Sequence, residues 1–167
     1  FECAPYPLEN SIIAIVKLDK PDTRIVRHDM DSVALEIDRA NLFARSIIKR
    51  REIIRSKLKT FRKKNGYIVL FGAGHLSVAF LSIMGIADLI EFVIDDNPYK
   101  NGMKMPVGNL DIVGSDSLYT KNISLCLLGI NPHNQPKVVK KNYQFVENGG
   151  QFASIFIDSK YDLEKIL

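Results

Sequence analysis

Residues 67–75, Tyr67-Ile-Val-Leu-Phe71-Gly72-Ala73-Gly74-His75, constrain the fold more than any other stretch. Five strand-forming residues run directly into a Gly-x-Gly turn, and a helical pattern follows. About twenty residues on, a second apolar run, Ile90-Glu-Phe-Val-Ile94, ends in Asp95-Asp96. This order is the opening of a βαβ unit. Glycines at such a turn let a bound group approach the backbone. The next helix offers unpaired N–H groups and the positive end of its dipole to an anion. An acid at the end of the second strand stands where a ribose hydroxyl is usually held. A bare Gly-x-Gly is a weak signal, and Ser77 stands where a third glycine would be. The flanking strand, helix and acid strengthen it.

The rest of the chain reads as alternating strands and helices. Ser11 to Leu18 is an apolar, β-branched strand, and Pro21-Asp22 marks a turn. A long helix is expected from about Ser32, capped by Asp31 or Ser32 and stopped by Asn65-Gly66. Its apolar stripe is Val33, Ile37, Ala40, Ala44, Ile47, Ile54, Leu58 and Phe61, at 4-3-4-3 spacing broken only by Arg51. The stripe can pack on the sheet that follows; a homodimer seam is the other use open to it. A helix follows from about His75 to Met84, with short extended pieces at Met103 to Pro106 and Leu110 to Val113. Then come a buried strand from Ile123 to Leu128, a loop at Asn131-Pro132-His133, a helix from about Pro136 to Glu147, and a last strand from Gln151 to Ile157. The expected class is α/β: a Rossmann-like parallel sheet flanked by helices, preceded by a strand and a long basic helix. The expected parts are residues 1–31, a strand and connection; 32–66, the long helix; and 67–167, a Rossmann-like domain that binds something nucleotide-like.

Charge sharpens the picture. The net charge is +4, yet residues 45–64 alone carry ten Lys or Arg against one acid, Glu52, so the remainder is net acidic. A basic helix is either a nucleic-acid footprint or a solvated face; the second needs no partner. No run of about 18 apolar residues exists, so no membrane span is expected. The start, Phe1-Glu-Cys-Ala-Pro, lacks an initiator Met and the layout of a signal peptide, and reads as a piece of a longer protein. Two cysteines, Cys3 and Cys126, make no disulfide framework, and a cytoplasmic setting is expected.

In a parallel sheet, ligands bind beyond the carboxyl ends of the strands, near the point where strand order reverses. The candidate substrate-binding residues follow: Gly72, Ala73, Gly74 and His75 at the turn; Asp95, Asp96, Asn97 and Lys100 after the second strand; Asn131 and His133 in the later loop. His75 opens the helix, where it can donate to a phosphate or a sugar hydroxyl, or be an exposed cap. Asp96-Asn97-Pro98 is also good turn chemistry. No metal site is expected from the spacing of His75, Asp95 and His133. There is no nucleophile elbow, no Walker lysine and no His-Glu-x-x-His, so the catalytic residues are unknown.

These residues carry a family resemblance. Gly72-Ala-Gly74 is followed by Asp88-Leu-Ile90-Glu-Phe-Val93-Ile-Asp95-Asp-Asn97-Pro98-Tyr-Lys100-Asn-Gly102. Met105-Pro106-Val-Gly108 and Ile112-Val113 come next, then Leu125 to Leu128 with Asn131, and Gly149-Gly-Gln-Phe152. The whole resembles the C-terminal domain of bacterial sugar C-methyltransferases, including its preceding strand and long helix. The resemblance implies a domain that helps hold a nucleoside-diphosphate sugar. Methyl transfer from S-adenosylmethionine, the family's structural zinc and its acid–base residues then belong to upstream domains. None of these cofactors is expected on this chain, which is expected to be inactive alone. The chain departs from the family at two places. The turn runs Ala73-Gly74-His75-Leu76-Ser77, without the usual lysine, and Ile130-Asn131 replaces Trp-Asn. The turn and the Val-Ile-Asp-Asp-Asn-Pro run also resemble the front domain of bacterial sugar acetyltransferases. An NAD(P)-binding domain and a non-enzymatic module using the basic helix 45–64 are the other readings.

Overall fold

The computed structural model describes residues 2–5, 12–15, 29–120, 122–157 and 159–167. The chain divides into two compact units, Phe1–Arg39 and Ala40–Leu167. In the first, β1 (Glu2–Pro5) pairs antiparallel with β2 (Ile12–Ile15). The sequence points to β2 and misses β1. The expected turn at Pro21-Asp22 and residues 16–18 of the expected strand lie outside the described residues.

Helix α1 (Met30–Asn65) crosses the boundary between the units. Its cap is Asp29, not Asp31 or Ser32: the Asp29 carboxylate accepts from the Asp31 N–H at 3.2 Å and from the Ser32 hydroxyl at 3.1 Å. Asp29, Asp31 and Ser32 are all able to cap, so residue type alone does not choose among them. Only the C-terminal part of the apolar stripe is used. Ile54 and Leu58 are buried and Phe61 packs against the same core, whereas Val33 and Ile37 are exposed.

The second unit carries a five-stranded parallel sheet in the order β5-β4-β3-β6-β7. The strands are β3 (Tyr67–Phe71), β4 (Ile90–Ile94), β5 (Ile112–Val113), β6 (Ile123–Leu128) and β7 (Gln151–Ser154). Strands buried on both faces read as continuous apolar runs, and these do. Ile68, Leu70, Leu125 and Leu127 face one core layer, filled by Ile54 and Leu58 of α1 and by Phe80, Leu81 and Met84 of α2 (His75–Met84). Val69, Phe71, Cys126 and Leu128 face the other, with Phe145 of α4 (Tyr143–Glu147) and Phe152 in edge contact, centroids 5.1 Å apart. The expected helix from Pro136 to Glu147 is two: α3 (Gln135–Lys141) and α4, broken at Asn142. There the buried Asn142 side chain donates to the Val138 carbonyl at 2.9 Å and ends α3. The last strand stops at Ser154, short of Ile157, because the Ser154 hydroxyl takes the Phe156 N–H at 3.1 Å and turns the chain. A final turn of helix, α5 (Leu163–Ile166), ends the fold.

Arginines, rather than a free basic face, fasten α1 to this unit. Arg55 grips the Asp88 carboxylate with two bonds, 2.6 and 2.7 Å, and also reaches the Gly85 carbonyl. Arg62 reaches the Asp88 carbonyl at 3.0 Å and Glu91 at 3.2 Å, and Arg50 lies 2.8 Å from Glu164. Cations at 45, 49, 51, 59, 63 and 64 remain exposed. Among the described residues, no helix is long and apolar enough to cross a membrane.

Candidate functional site

The chain runs β3, β4, β5 towards one edge and then β6, β7 towards the other, so strand order reverses between β3 and β6. The carboxyl ends line up there, with Phe71 opposite both Ile94 and Leu128. The Gly72 N–H donates to the Ile94 carbonyl at 2.7 Å, and the Gly129 N–H donates to the Phe71 carbonyl at 2.8 Å. The turn after β3 therefore sits at the corner where this class of sheet places its ligand.

The two glycines of the turn do different work. Gly72 has φ +106°, and a Cβ there would lie 2.6 Å from Ile130 Cγ2, so the position excludes any side chain. Gly74 is extended, φ −125° and ψ 179°, and a Cβ would meet nothing within 4 Å. Gly74 caps α2, and no side-chain bond assists it. The first bond of the helix runs from the Val78 N–H to the Gly74 carbonyl at 3.1 Å. The N–H groups of Gly74, His75, Leu76 and Ser77 thus have no partner within the helix. His75 and Gly74 are exposed. Ser77 explains how the turn manages without a third glycine. Its hydroxyl is buried and donates to the Gly72 carbonyl at 2.5 Å, with the Gly129 carbonyl a second acceptor at 3.4 Å. A small residue is what this helix–strand approach needs.

Asp95 does not stand free at the end of β4. Its Oδ2 accepts the Ala73 N–H at 2.8 Å and the Lys100 ammonium at 2.9 Å; its Oδ1 accepts the Asn97 N–H at 3.0 Å. Lys100 also donates to the Ala73 carbonyl at 2.9 Å. Burial alone would raise the Asp95 carboxyl, but Lys100 and the Asn97 and Ala73 N–H groups together hold it below the usual carboxylate range. The structure thus gathers Ala73, Asp95, Asn97 and Lys100 into one bonded cluster, with Gly72 next to it in the chain. Asn97 caps the short turn Pro98–Lys100, its Oδ1 accepting from the Tyr99 N–H at 3.1 Å.

Asp96 points elsewhere, to the Lys141 ammonium at 2.6 Å and the Ser115 N–H at 3.2 Å. Burial opposes its ionisation, and Lys141 and Ser115 outweigh that and lower its pKa. Asp95, Asp96 and Asp116 line a cavity of about 320 Å³ with Asn97, Asn101 and Lys141. Three carboxylates against one ammonium make it a poor place for a phosphate. Asn131 and His133 lie exposed on the loop after β6, where Asn131 Oδ1 accepts the His133 N–H at 2.9 Å. A larger groove of about 560 Å³, lined by Leu81, Ala87, Ile90 and Val107 among others, lies at the amino end of β4, away from this corner.

One part of the site has no signature in the sequence. Gln135, fully buried, donates to the Ile130 carbonyl at 3.0 Å and to Ser154 Oγ at 2.8 Å, and its Oε1 accepts the Ser159 hydroxyl at 2.6 Å. It ties the loop after β6 to the end of β7 and to the turn beyond. A glutamine next to a proline, one residue beyond a loop, gives no hint of burial.

Sequence comparison agrees with this architecture. A family model described as the C-methyltransferase C-terminal domain matches residues 22–156, most of the chain. The chain belongs to this family. No curated protein matches it. For a C-methyltransferase C-terminal domain, the matched span takes in all of α1 as well as the sheet through β7. The helix is therefore part of the family's unit rather than a leader to it. Among the described residues, no group of three or more His, Cys, Asp or Glu side chains comes together to hold a metal ion. The zinc implied by the family resemblance has no fitting donor set among these residues.

Proposed function

We propose that this C-methyltransferase C-terminal domain holds a nucleoside-diphosphate sugar, with the diphosphate on the N–H groups that open α2 and the sugar and base spread along the carboxyl edge. The observation that carries this reading is the start of α2, uncapped by any side chain and placed at the reversal of strand order. S-adenosylmethionine supplies the methyl group in this scheme and is held by a separate catalytic domain. The role of the present residues is to bind and orient the substrate and to leave its reacting carbon free. The arginines committed to Asp88, Glu91 and Glu164 favour a helix used as an anchor over one used as a nucleic-acid footprint.

The test is a thermal-shift and calorimetric panel of UDP- and dTDP-sugars, NAD, S-adenosylmethionine and an oligonucleotide. A nucleotide sugar at 100 times its Kd should add about 2.7 kcal/mol of stability. Gly74→Val, which the extended backbone accommodates, should abolish that gain while the protein stays folded. Stabilisation by the oligonucleotide alone, falling steeply with salt, would refute the reading.

A further inference from the structure

We infer, on the basis of the nucleotide-sugar reading, that Asp95 is a positioning residue and not a ribose ligand. With Lys100 it holds the two peptides that flank Ala73, so that the corner recognises a diphosphate through the turn and ignores the ribose hydroxyls.

The geometry carries this in three steps. A carboxylate has about four acceptor sites. Three on Asp95 are filled from within the domain, by Ala73, Asn97 and Lys100. A ribose diol held in two-pronged fashion by this acid would have to displace at least one of them. Next, both peptides that flank Ala73 are bonded, the one before it through its N–H to Asp95 and the one after it through its carbonyl to Lys100, while Asp95 in turn holds Lys100. Together these bonds fix the planes of the two peptides leading into Gly74, and hence the direction in which the N–H groups of the α2 terminus point. Last, the accessible member of the pair is the cation. The Asp95 side chain is 15% exposed and that of Lys100 is 36% exposed. An ammonium has three donors, and two of Lys100's are used here, which leaves one for an oxygen of an arriving anion. Lys100 thus brings a cation to the turn from the neighbouring loop.

Two measurements decide it. Hydrogen exchange at the Ala73 amide, followed by NMR without ligand, should quicken at least tenfold in Asp95→Ala, with the amides of β6 unchanged. Lys100→Met, which leaves the acceptor in place, should quicken it less. An unchanged Ala73 rate in Asp95→Ala overturns the clamp. Calorimetry with UDP, 2′-deoxy-UDP and uridine then tests recognition. The wild-type chain should bind UDP and 2′-deoxy-UDP within twofold of each other and uridine far more weakly. Asp95→Ala should weaken both diphosphates by the same factor, fivefold or more. A tenfold wild-type preference for UDP over 2′-deoxy-UDP, erased in Asp95→Ala, overturns the inference and makes Asp95 a ribose ligand. Binding of neither diphosphate overturns the nucleotide-sugar reading and the diphosphate half of this one; the exchange measurement still decides whether Asp95 holds the turn.

Discussion

Replacing Gly72 with alanine should destabilise the sheet unit through two separable terms. The backbone at φ +106° strains any L-residue, at a cost of about 2 kcal/mol. The new methyl would also stand 2.6 Å from Ile130 Cγ2 and 3.2 Å from the Gly129 carbonyl, and overpacking of that kind costs about 2 kcal/mol more. A loss of about 4 kcal/mol is a large share of a typical domain's stability of about 5–15 kcal/mol. Urea denaturation of Gly72→Ala, Ile130→Ala and the double variant separates the two terms. Ile130→Ala removes the colliding methyl, and as Ile130 is half-buried it should cost about 1 kcal/mol by itself. The double variant should therefore be less destabilised than the sum of the singles, by about 2 kcal/mol. Additivity within about 0.5 kcal/mol would refute the collision. A Gly72→Ala variant within about 0.5 kcal/mol of wild type would refute both terms. Gly74→Ala is the control: with no neighbour to strike and an extended backbone, it should cost at most about 1 kcal/mol, the ordinary loss for alanine at a helix cap.

Other outcomes follow from the same geometry. Leu58→Ala, at a fully buried position, should cost about 2–5 kcal/mol, whereas Leu42→Ala, 71% exposed on the same helix, should stay within about 0.5 kcal/mol; equal losses would mean that the exposed half of α1 is covered in solution. Gln135→Leu strands the Ser159 hydroxyl and the Ile130 carbonyl and should cost about 2–4 kcal/mol by urea denaturation; a loss below about 1 kcal/mol would mean that water replaces the amide. Asp88, Asp95 and Asp96 all titrate below their ordinary value, so the unfolded chain binds more protons than the folded one. Their stabilisation is complete above about pH 5 and is lost as the pH falls below the usual aspartate value of about 3.9. Melting temperatures between pH 7 and pH 3 should fall less steeply for Asp95→Asn than for wild type, and parallel curves would count against the Asp95 contribution.

The sheet was legible because burial on both faces leaves no alternative pattern: runs such as Ile123 to Leu128 have no polar face to show, and they bound β3, β4 and β6 closely. The turn was legible because Gly72 needs a backbone that only glycine adopts freely. What the sequence concealed depends on partners far along the chain. Asp95 sits where an acid commonly meets ribose, and only folding brings Lys100 and Ala73 onto it. Asn142 looks like one more polar residue of a helix until its amide turns back to Val138. The apolar stripe of α1 was read at full length, but the sheet beneath it reaches only its last turns. Ten cations in twenty residues looked like one surface feature, and three of the arginines turn out to be fastenings to acids between 29 and 114 residues away.

Ser77 and Gly129 face each other across the central crossover so closely that a methyl on Gly129 would fall 2.1 Å from the serine oxygen. Gly129 cannot grow unless Ser77 gives up its hydroxyl, and Ser77, already set against a glycine, has no smaller partner to make room for it. Related chains with a larger residue at 129 should therefore carry glycine or alanine at 77, and a chain bulky at both must have let α2 lift away from the sheet, carrying the uncapped end of that helix with it.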